Sequence, residues 1–412
     1  MRFWKLVLAA CLLPAALAAQ IPPPVIPECV GVNIHFIRGG ERDLDEIAAA
    51  GFKFVRMDFD WQGTETSPGT YDWSAYDDLT AQLRQRGLRA IYILDYTHSA
   101  YEPLVDSHRA IEPQTPEKHI ASPRHPESIA AFARWAAASA KHFRKQHVIW
   151  EIYNEPNGGF WKPKADAAEY TALALATAKA IRKAESSATI IAPALATFDF
   201  KFLETFLASG VLQYLDGVSV HPYRSGGKSP ETALAGYKRM REMIDQYAPK
   251  SKRGKIPILC GEWGYSSNRK DISPETQAAF AVRQQLFDLL NGLPLSIWYD
   301  WKNDGVDLDE REQNFGTVAA DLTPKPAYLA LQTMTRELAG YKITRRMDNY
   351  GGKDFVLLFS KRHAPLKIAA WTLGEPHSVH LPVTHRAGNA EEIVLELSPL
   401  PKYVDLGDAP MK

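Results

Sequence analysis

Ile149-Trp-Glu-Ile-Tyr-Asn-Glu-Pro-Asn-Gly-Gly-Phe-Trp161 is an apolar, β-rich run that breaks at Asn154, Glu155 and Pro156. Val148 to Tyr153 reads as a buried strand, and Pro156 ends it because proline cannot continue a central ladder. A carboxylate, Glu155, therefore stands where a strand gives way to a loop. The same arrangement recurs in Ile256-Pro-Ile-Leu-Cys-Gly-Glu-Trp-Gly-Tyr265, where an apolar strand ends in Glu262.

Outward from these two strands the chain alternates short β-like runs with helical patterns. The predicted strands are 30–36, 52–59, 89–95, 148–153, 189–194, 216–223, 256–261 and 295–300. Helical patterns lie between them at 74–85, 126–144, 167–185, 230–247 and 274–290, several with Gly or Pro just beyond the end. This order predicts an α/β fold, a (β/α)8 TIM barrel over 26–339. In such a barrel, functional side chains gather where strands end and loops begin. Asn33, His35, Arg56, Asp58, Asp95, His98, Asn154, Glu155, His221, Tyr223, Glu262 and Trp298 all fall at those places. Glu155 and Glu262 are about three βα units apart, which sets them facing each other across the mouth.

After Gly340 the pattern changes to alternating runs at 355–359, 366–371, 378–381 and 393–397, separated by Gly, Pro and Asn. Residues 340–412 therefore read as a separate small antiparallel β domain, sandwich-like and packed on the barrel.

The chain has 412 residues, 45% of them hydrophobic, with 48 basic and 48 acidic side chains. That balance contains no charge block for nucleic acid or a membrane surface, and neutral partners fit better. Protein partners leave no readable mark. Residues 1–19 carry Arg2 and Lys5, an apolar run and Ala16-Leu17-Ala18, the pattern of a secretory signal peptide; the protein is expected outside the cytoplasm, secreted or periplasmic. Leu8-Ala-Ala-Cys11 also fits a lipoprotein signal, the less favoured reading because the apolar run before Cys11 is short. No later run has the roughly twenty apolar residues of a membrane span. Cys29 and Cys260 are expected as unpaired thiols, being far apart in the predicted strand order.

Two carboxylates on strand ends are the minimal equipment for glycoside hydrolysis: one protonates the leaving oxygen while the other meets the positive charge that develops on the sugar. Glu155 is read as the acid/base, its pKa raised by burial and a second carboxylate, and Glu262 as the nucleophile kept ionised by Arg56. Asn154 is placed for the sugar 2-hydroxyl, Tyr223 for orienting Glu262, and His221 for the glutamate pair. Trp298 is read as a platform under the reacting sugar and Trp161 as one at an adjoining subsite, because an indole offers an apolar face to a pyranose. His35 and His98 are weaker substrate-binding candidates.

These residues resemble clan A of the glycoside hydrolases, retaining TIM-barrel enzymes with glutamates ending strands four and seven. Asn154-Glu-Pro156 matches the acid/base motif and Glu262-Trp263 the nucleophile position. Arg56, His221-Pro-Tyr223 and Trp298 match further clan positions. Within the clan the chain looks most like families 39 and 5, since Asn154-Glu-Pro-Asn-Gly-Gly-Phe-Trp-Lys-Pro163 followed by a helix with Tyr170 is a family 39-like continuation. The resemblance implies a retaining β-glycosidase acting on an oligo- or polysaccharide with no metal and no cofactor.

Three rivals are weaker. A metal-dependent hydrolase wants paired His-x-His or H-E-x-x-H, neither of which occurs. A substrate-assisted barrel wants a cluster of acids ending strand four. A non-catalytic carbohydrate-binding protein on the same scaffold needs no matched carboxylate pair.

Overall fold

The computed structural model describes residues 21–108, 116–224, 227–384 and 390–407. The signal-peptide reading of residues 1–19, with Cys11, lies outside the described residues. Eight parallel strands close into a barrel, β1 (Val30–Asn33), β2 (Phe54–Asp60), β3 (Arg89–Asp95), β4 (Ile149–Ile152), β5 (Thr189–Ala196), β6 (Gly217–His221), β7 (Ile258–Trp263) and β8 (Ser296–Trp298). Each pairs with its sequence neighbours, and β1 pairs with β8 to remove both edges.

The barrel interior changes chemistry along its axis because alternate residues of each strand face inward. Phe54, Ile91, Ile149, Ile191, Leu259, Leu295 and Ile297 form one apolar cluster toward the base. Two residues further along their strands come Arg56, Glu151 and Gly261. The strand residues of opposite parity, such as Trp150, Ile152, Val218 and Val220, join the larger core shared with the helices. Helices Ser74–Gln85 and Pro274–Leu290 run over the predicted spans, and three more, Glu41–Ala49, Phe200–Ala208 and Pro326–Glu337, lay in segments not read as helical. Two hairpins decorate the mouth, Glu65–Ser67 with Thr70–Tyr71 and Leu104–His108 with Pro116–Ile120. No helix among the described residues is long and apolar enough to cross a membrane. Both Cys29 and Cys260 are buried free thiols.

Beyond the barrel, β9 (Lys342–Arg346), β10 (Asp354–Ser360), β11 (Lys367–Thr372) and β14 (Lys402–Asp405) form an antiparallel sheet in the order β9-β10-β11-β14. The strands β12 (His377–Thr384) and β13 (Ala390–Leu397) form a hairpin. Phe355, Leu357, Phe359, Ala369 and Trp371 belong to the barrel's core cluster, whereas Val356, Leu358, Ile368 and Ala370 cluster with Leu381, Leu395 and Leu397 of the hairpin. The sheet is thus apolar on both faces, one toward the barrel and one toward its own hairpin. A buried polar junction fixes the join: Arg283 donates through Nε and Nη2 to Glu231 at 2.8 and 2.7 Å, and Trp371 Nε1 donates to the same carboxylate at 2.9 Å.

A second buried carboxyl, Asp288 on the helix Pro274–Leu290, accepts from Tyr237 and Ser296, each at 2.7 Å. Burial outweighs these bonds and pushes it from the ordinary 3.8 up to about 7. Between about pH 4 and 7 the unfolded chain has lost this proton and the folded chain keeps it, so stability falls as pH rises, by about 1.4 kcal/mol per unit. Denaturant unfolding across that range is expected to show a shallower fall in Asp288→Asn than in wild type; equal slopes would contradict the assignment.

Candidate active site

Arg56 stands at the centre of the mouth. Its guanidinium is fully buried and donates from Nε to Glu151 Oε2 at 2.6 Å, from Nη1 to Glu262 Oε2 at 2.7 Å and from Nη2 to Asn154 Oδ1 at 2.8 Å. Nη2 also lies 3.2 Å from His221 Nε2. Burial opposes the charge, but the carboxylates of Glu151 and Glu262 outweigh it and raise the pKa, so Arg56 is a permanent cation. The glycine at 261 makes room for this cluster: a Cβ there would sit 3.0 Å from Glu151 Oε1 and 3.1 Å from His221 Nε2.

An arginine can only donate, so His221 Nε2 accepts from it and the imidazole proton sits on Nδ1. That N–H faces Glu155 Oε1 at 2.9 Å. One oxygen of Glu155 is therefore occupied as an acceptor, and a proton carried by Glu155 belongs on Oε2. Tyr223 donates its hydroxyl to Glu262 Oε1 at 2.7 Å; burial first, then the charge of Glu262, pushes the phenol well above its ordinary pKa and keeps it a donor. Hydrogen-bonding atoms of Glu155, His221 and Glu262 lie within 4.8 Å of one another. This trio does not fit a metal, because both imidazole nitrogens are engaged and the Arg56 cation already sits on Glu262.

The backbone at the end of β4 is unusual. Tyr153 and Glu155 take left-handed conformations, φ 66° and 44°, which non-glycine residues adopt at a cost. The conformation is held by Glu155 N–H to Ala194 O at 3.1 Å, and by Asn157, whose amide bonds both Ala196 O and Ala196 N–H, at 2.9 and 2.8 Å.

Three expectations need correction. Trp298 is fully buried, its indole N–H donating to Phe315 O at 3.3 Å, so it offers no face to a sugar. Inward-facing Leu295 and Ile297 put Trp298 on the opposite parity, toward the helices. Trp161 is also fully buried, with Nε1 on Glu169 at 3.0 Å and its ring against Tyr153 and Tyr170. His98 is buried beneath the Glu65–Ser67 hairpin, where Nδ1 accepts from Ala100 N–H at 3.0 Å and Nε2 donates to Glu65 O at 2.9 Å; both nitrogens serve the loop. Partly exposed rings at the mouth are Tyr299, Tyr96 and Phe160, the last two stacked at 5.8 Å.

His35 lies on the rim, nearly half exposed, 3.5 Å from Asp300 and edge-on to Tyr299 at 5.5 Å. Burial lowers its pKa, but the bond to and charge of Asp300 outweigh that and raise it; burial in turn lifts Asp300 to about 6. Asp95 at the end of β3 is fully buried. Burial, then the neighbouring charge of Asp58, moves its carboxyl well above the ordinary range. Residues not anticipated at the site are Glu151 and Tyr299, both signalled by parity: Glu151 is two residues beyond inward-facing Ile149, and Tyr299 two beyond Ile297.

Removing Arg56 leaves Glu151 and Glu262 without their cation. Arg56→Met is expected to cost about 3–5 kcal/mol in denaturant unfolding. Adding Glu151→Gln is expected to restore part of that loss, because it removes one of the stranded charges. A loss below about 1 kcal/mol in the single variant would contradict the hub.

The family model for cellulase, glycosyl hydrolase family 5, matches residues 27–305. No curated protein sequence matches the chain. Among solved structures the fold is similar to a family 39 glycoside hydrolase from the gut symbiont Bacteroides cellulosilyticus WH2, with TM-score 0.75, 22% identity, and 94% of this chain and 81% of that one covered. It is also similar to a monomeric β-xylosidase from Caulobacter crescentus CB15, with TM-score 0.60, 19% identity and coverage of 92% and 93%. An endo-β-1,6-glucanase shares the fold as well, with TM-score 0.63, 12% identity and coverage of 93% and 91%. At these identities the structural likeness carries the fold, and the family match covers most of the barrel. The chain belongs to glycosyl hydrolase family 5, within clan A, and is an O-glycosyl hydrolase.

Proposed function

We propose that the protein is a retaining β-glycosidase of an oligo- or polysaccharide, working by double displacement with Glu262 as nucleophile and Glu155 as acid/base. The observation that carries this reading is the approach of the two carboxyls, oxygen to oxygen within 4.8 Å. Retaining enzymes hold the pair about 5 Å apart, whereas inverting enzymes need room for a water between them.

In the first step a Glu262 oxygen attacks the anomeric carbon as the glycosidic C–O bond breaks, and the proton on Glu155 passes to the leaving oxygen. In the second, Glu155 takes a proton from water, the resulting oxygen attacks the anomeric carbon, and the ester to Glu262 breaks. Arg56 and Tyr223 hold Glu262 by one bond to each oxygen, which fixes the carboxylate plane. Asn154 gives its carbonyl to Arg56, which leaves its NH2 group as a donor to a substrate hydroxyl. Tyr299 takes the platform role expected of Trp298: it is partly exposed and lies 6.5 Å from Tyr223.

Glu155→Ala is expected to lower kcat/KM by about two to four orders of magnitude on a glycoside with an alkyl or sugar leaving group, the usual scale of general acid catalysis. On a dinitrophenyl glycoside, whose leaving group needs no proton, cleavage of the glycosidic bond is expected to be little changed. Equal losses on the two substrates would assign the acid elsewhere.

A further inference from the structure

A second pair of carboxyls stands in the mouth, on the side of β2 and β3. Inward-facing residues run Phe54, Arg56, Asp58 along β2 and Ile91, Ile93, Asp95 along β3. Phe54 and Ile91 belong to the apolar base, so Asp58 and Asp95 lie at the open end of the same faces. The charge of Asp58 acts on Arg56 and on His35 at the rim, which puts it beside the groups that surround the nucleophile.

Neighbouring acids are already matched. Glu151 and Glu262 accept from Arg56, and Asp60, the next inward residue of β2, accepts the Gly63 N–H as a helix cap. Asp95 is fully buried, and neither of its oxygens meets a donor among the described residues. What lies within its hydrogen-bonding reach is the carboxyl of Asp58. Two carboxyls can bond each other only through a shared proton. The proton rests on the more deeply buried partner, because burial penalises charge: burial first, then the charge of Asp58, raises Asp95. Asp95 is thus the donor and Asp58 the acceptor. Asp58 itself is only partly buried, and no described side chain or backbone N–H donates to its carboxyl, whose oxygens are open rather than enclosed. The pair therefore presents to the mouth a carboxylate held by one bond, with its remaining lone pairs free. In a glycosidase the donor that enters this mouth is a sugar hydroxyl, and a bond from it to a charged acceptor is stronger than one to a neutral acceptor.

We propose that Asp58 is a specificity-determining residue that accepts a hydroxyl of the reacting sugar, and that Asp95 is the positioning residue that holds it through their shared proton. This rests on the glycosidase reading above and deepens it: Asn154 addresses the sugar from β4, and Asp58 addresses a different hydroxyl from β2.

The test crosses substrates with variants. The probes are dinitrophenyl β-glycosides of glucose, galactose, mannose and xylose and of their β-linked oligomers up to about four units. The parent is the probe with the highest kcat/KM, compared with forms that lack one hydroxyl of the sugar next to the cleaved bond. In wild type, one deletion other than the 2-deoxy is expected to lower kcat/KM about tenfold to a hundredfold, the scale of a bond to a charged group. In Asp58→Ala the same deletion is expected to cost no more than about threefold, because its partner is gone. The 2-deoxy form, assigned to Asn154, is expected to lose equally in both proteins. Changes in the intrinsic reactivity of the deoxy sugars cancel, since the same two substrates are compared on each protein. Asp95→Asn keeps an N–H toward Asp58 and is expected to retain more of the discrimination than Asp95→Leu, which offers none; a merely structural role would lower stability without moving this ratio.

A loss of the same size in wild type and Asp58→Ala, or no loss beyond the 2-deoxy form in wild type, overturns the proposal. Equal discrimination in Asp95→Asn and Asp95→Leu overturns the role of Asp95. If Asp58→Ala does not fold, Asp58→Asn decides, because it keeps the shape and removes the charge; unchanged discrimination there contradicts the proposal. Turnover with unaltered discrimination fails this inference alone, whereas wild-type protein that cleaves none of the probes fails the glycosidase reading and this inference with it.

Discussion

A single buried guanidinium organises the mouth of the barrel. Placing Arg56 out of water is expensive, and the cost is offset because four of its N–H directions find Glu151, Glu262, Asn154 and His221. The donor-only character of arginine does more than balance charge. It fixes which nitrogen of His221 carries the proton, and through that N–H it determines which oxygen of Glu155 is occupied. Arg56 therefore acts on Glu262 directly and on Glu155 through one imidazole. The two carboxylates share a cation but not the same relation to it, which is the asymmetry a nucleophile and an acid/base require.

That constraint explains local features that otherwise look unrelated. Glu151 is a charged residue inside an apolar strand because Arg56 needs a second carboxylate on its Nε side. Position 261 is a glycine where Glu151 and His221 approach the backbone. Left-handed backbone at Tyr153 and Glu155 turns the chain sharply between the strand and the loop, and the Asn157 amide clamps that turn to β5. Below this layer the barrel is filled with Ile, Leu and Phe, which makes the base a rigid support for the polar groups above it.

Much of this was legible in the sequence. Eight strand-like runs with intervening helical patterns give the barrel, and a carboxylate breaking an apolar run marks both glutamates. Arg56, Asn154, His221 and Tyr223 were readable as polar residues on strand ends, and the structure brings all four around the same pair. The aromatic assignments failed because residue type was weighed above parity: Trp298 has the chemistry of a sugar platform, but period-two alternation turns it away and presents Tyr299 instead. His98 failed for another reason. A histidine past a strand end serves either substrate or loop, and only the Glu65–Ser67 hairpin, a tertiary feature with weak local signal, decides between them.

The central claim is that Arg56 and Tyr223 hold Glu262 as the group that bonds to the sugar. Its most direct test is mass spectrometry of wild-type protein treated with activated 2-deoxy-2-fluoro glycosides, which slow breakdown of a covalent glycosyl ester. The account predicts one added sugar per chain, located on the peptide containing Glu262. A label on Glu155, or inverted product with no covalent adduct from a glycoside that the enzyme turns over, would contradict it.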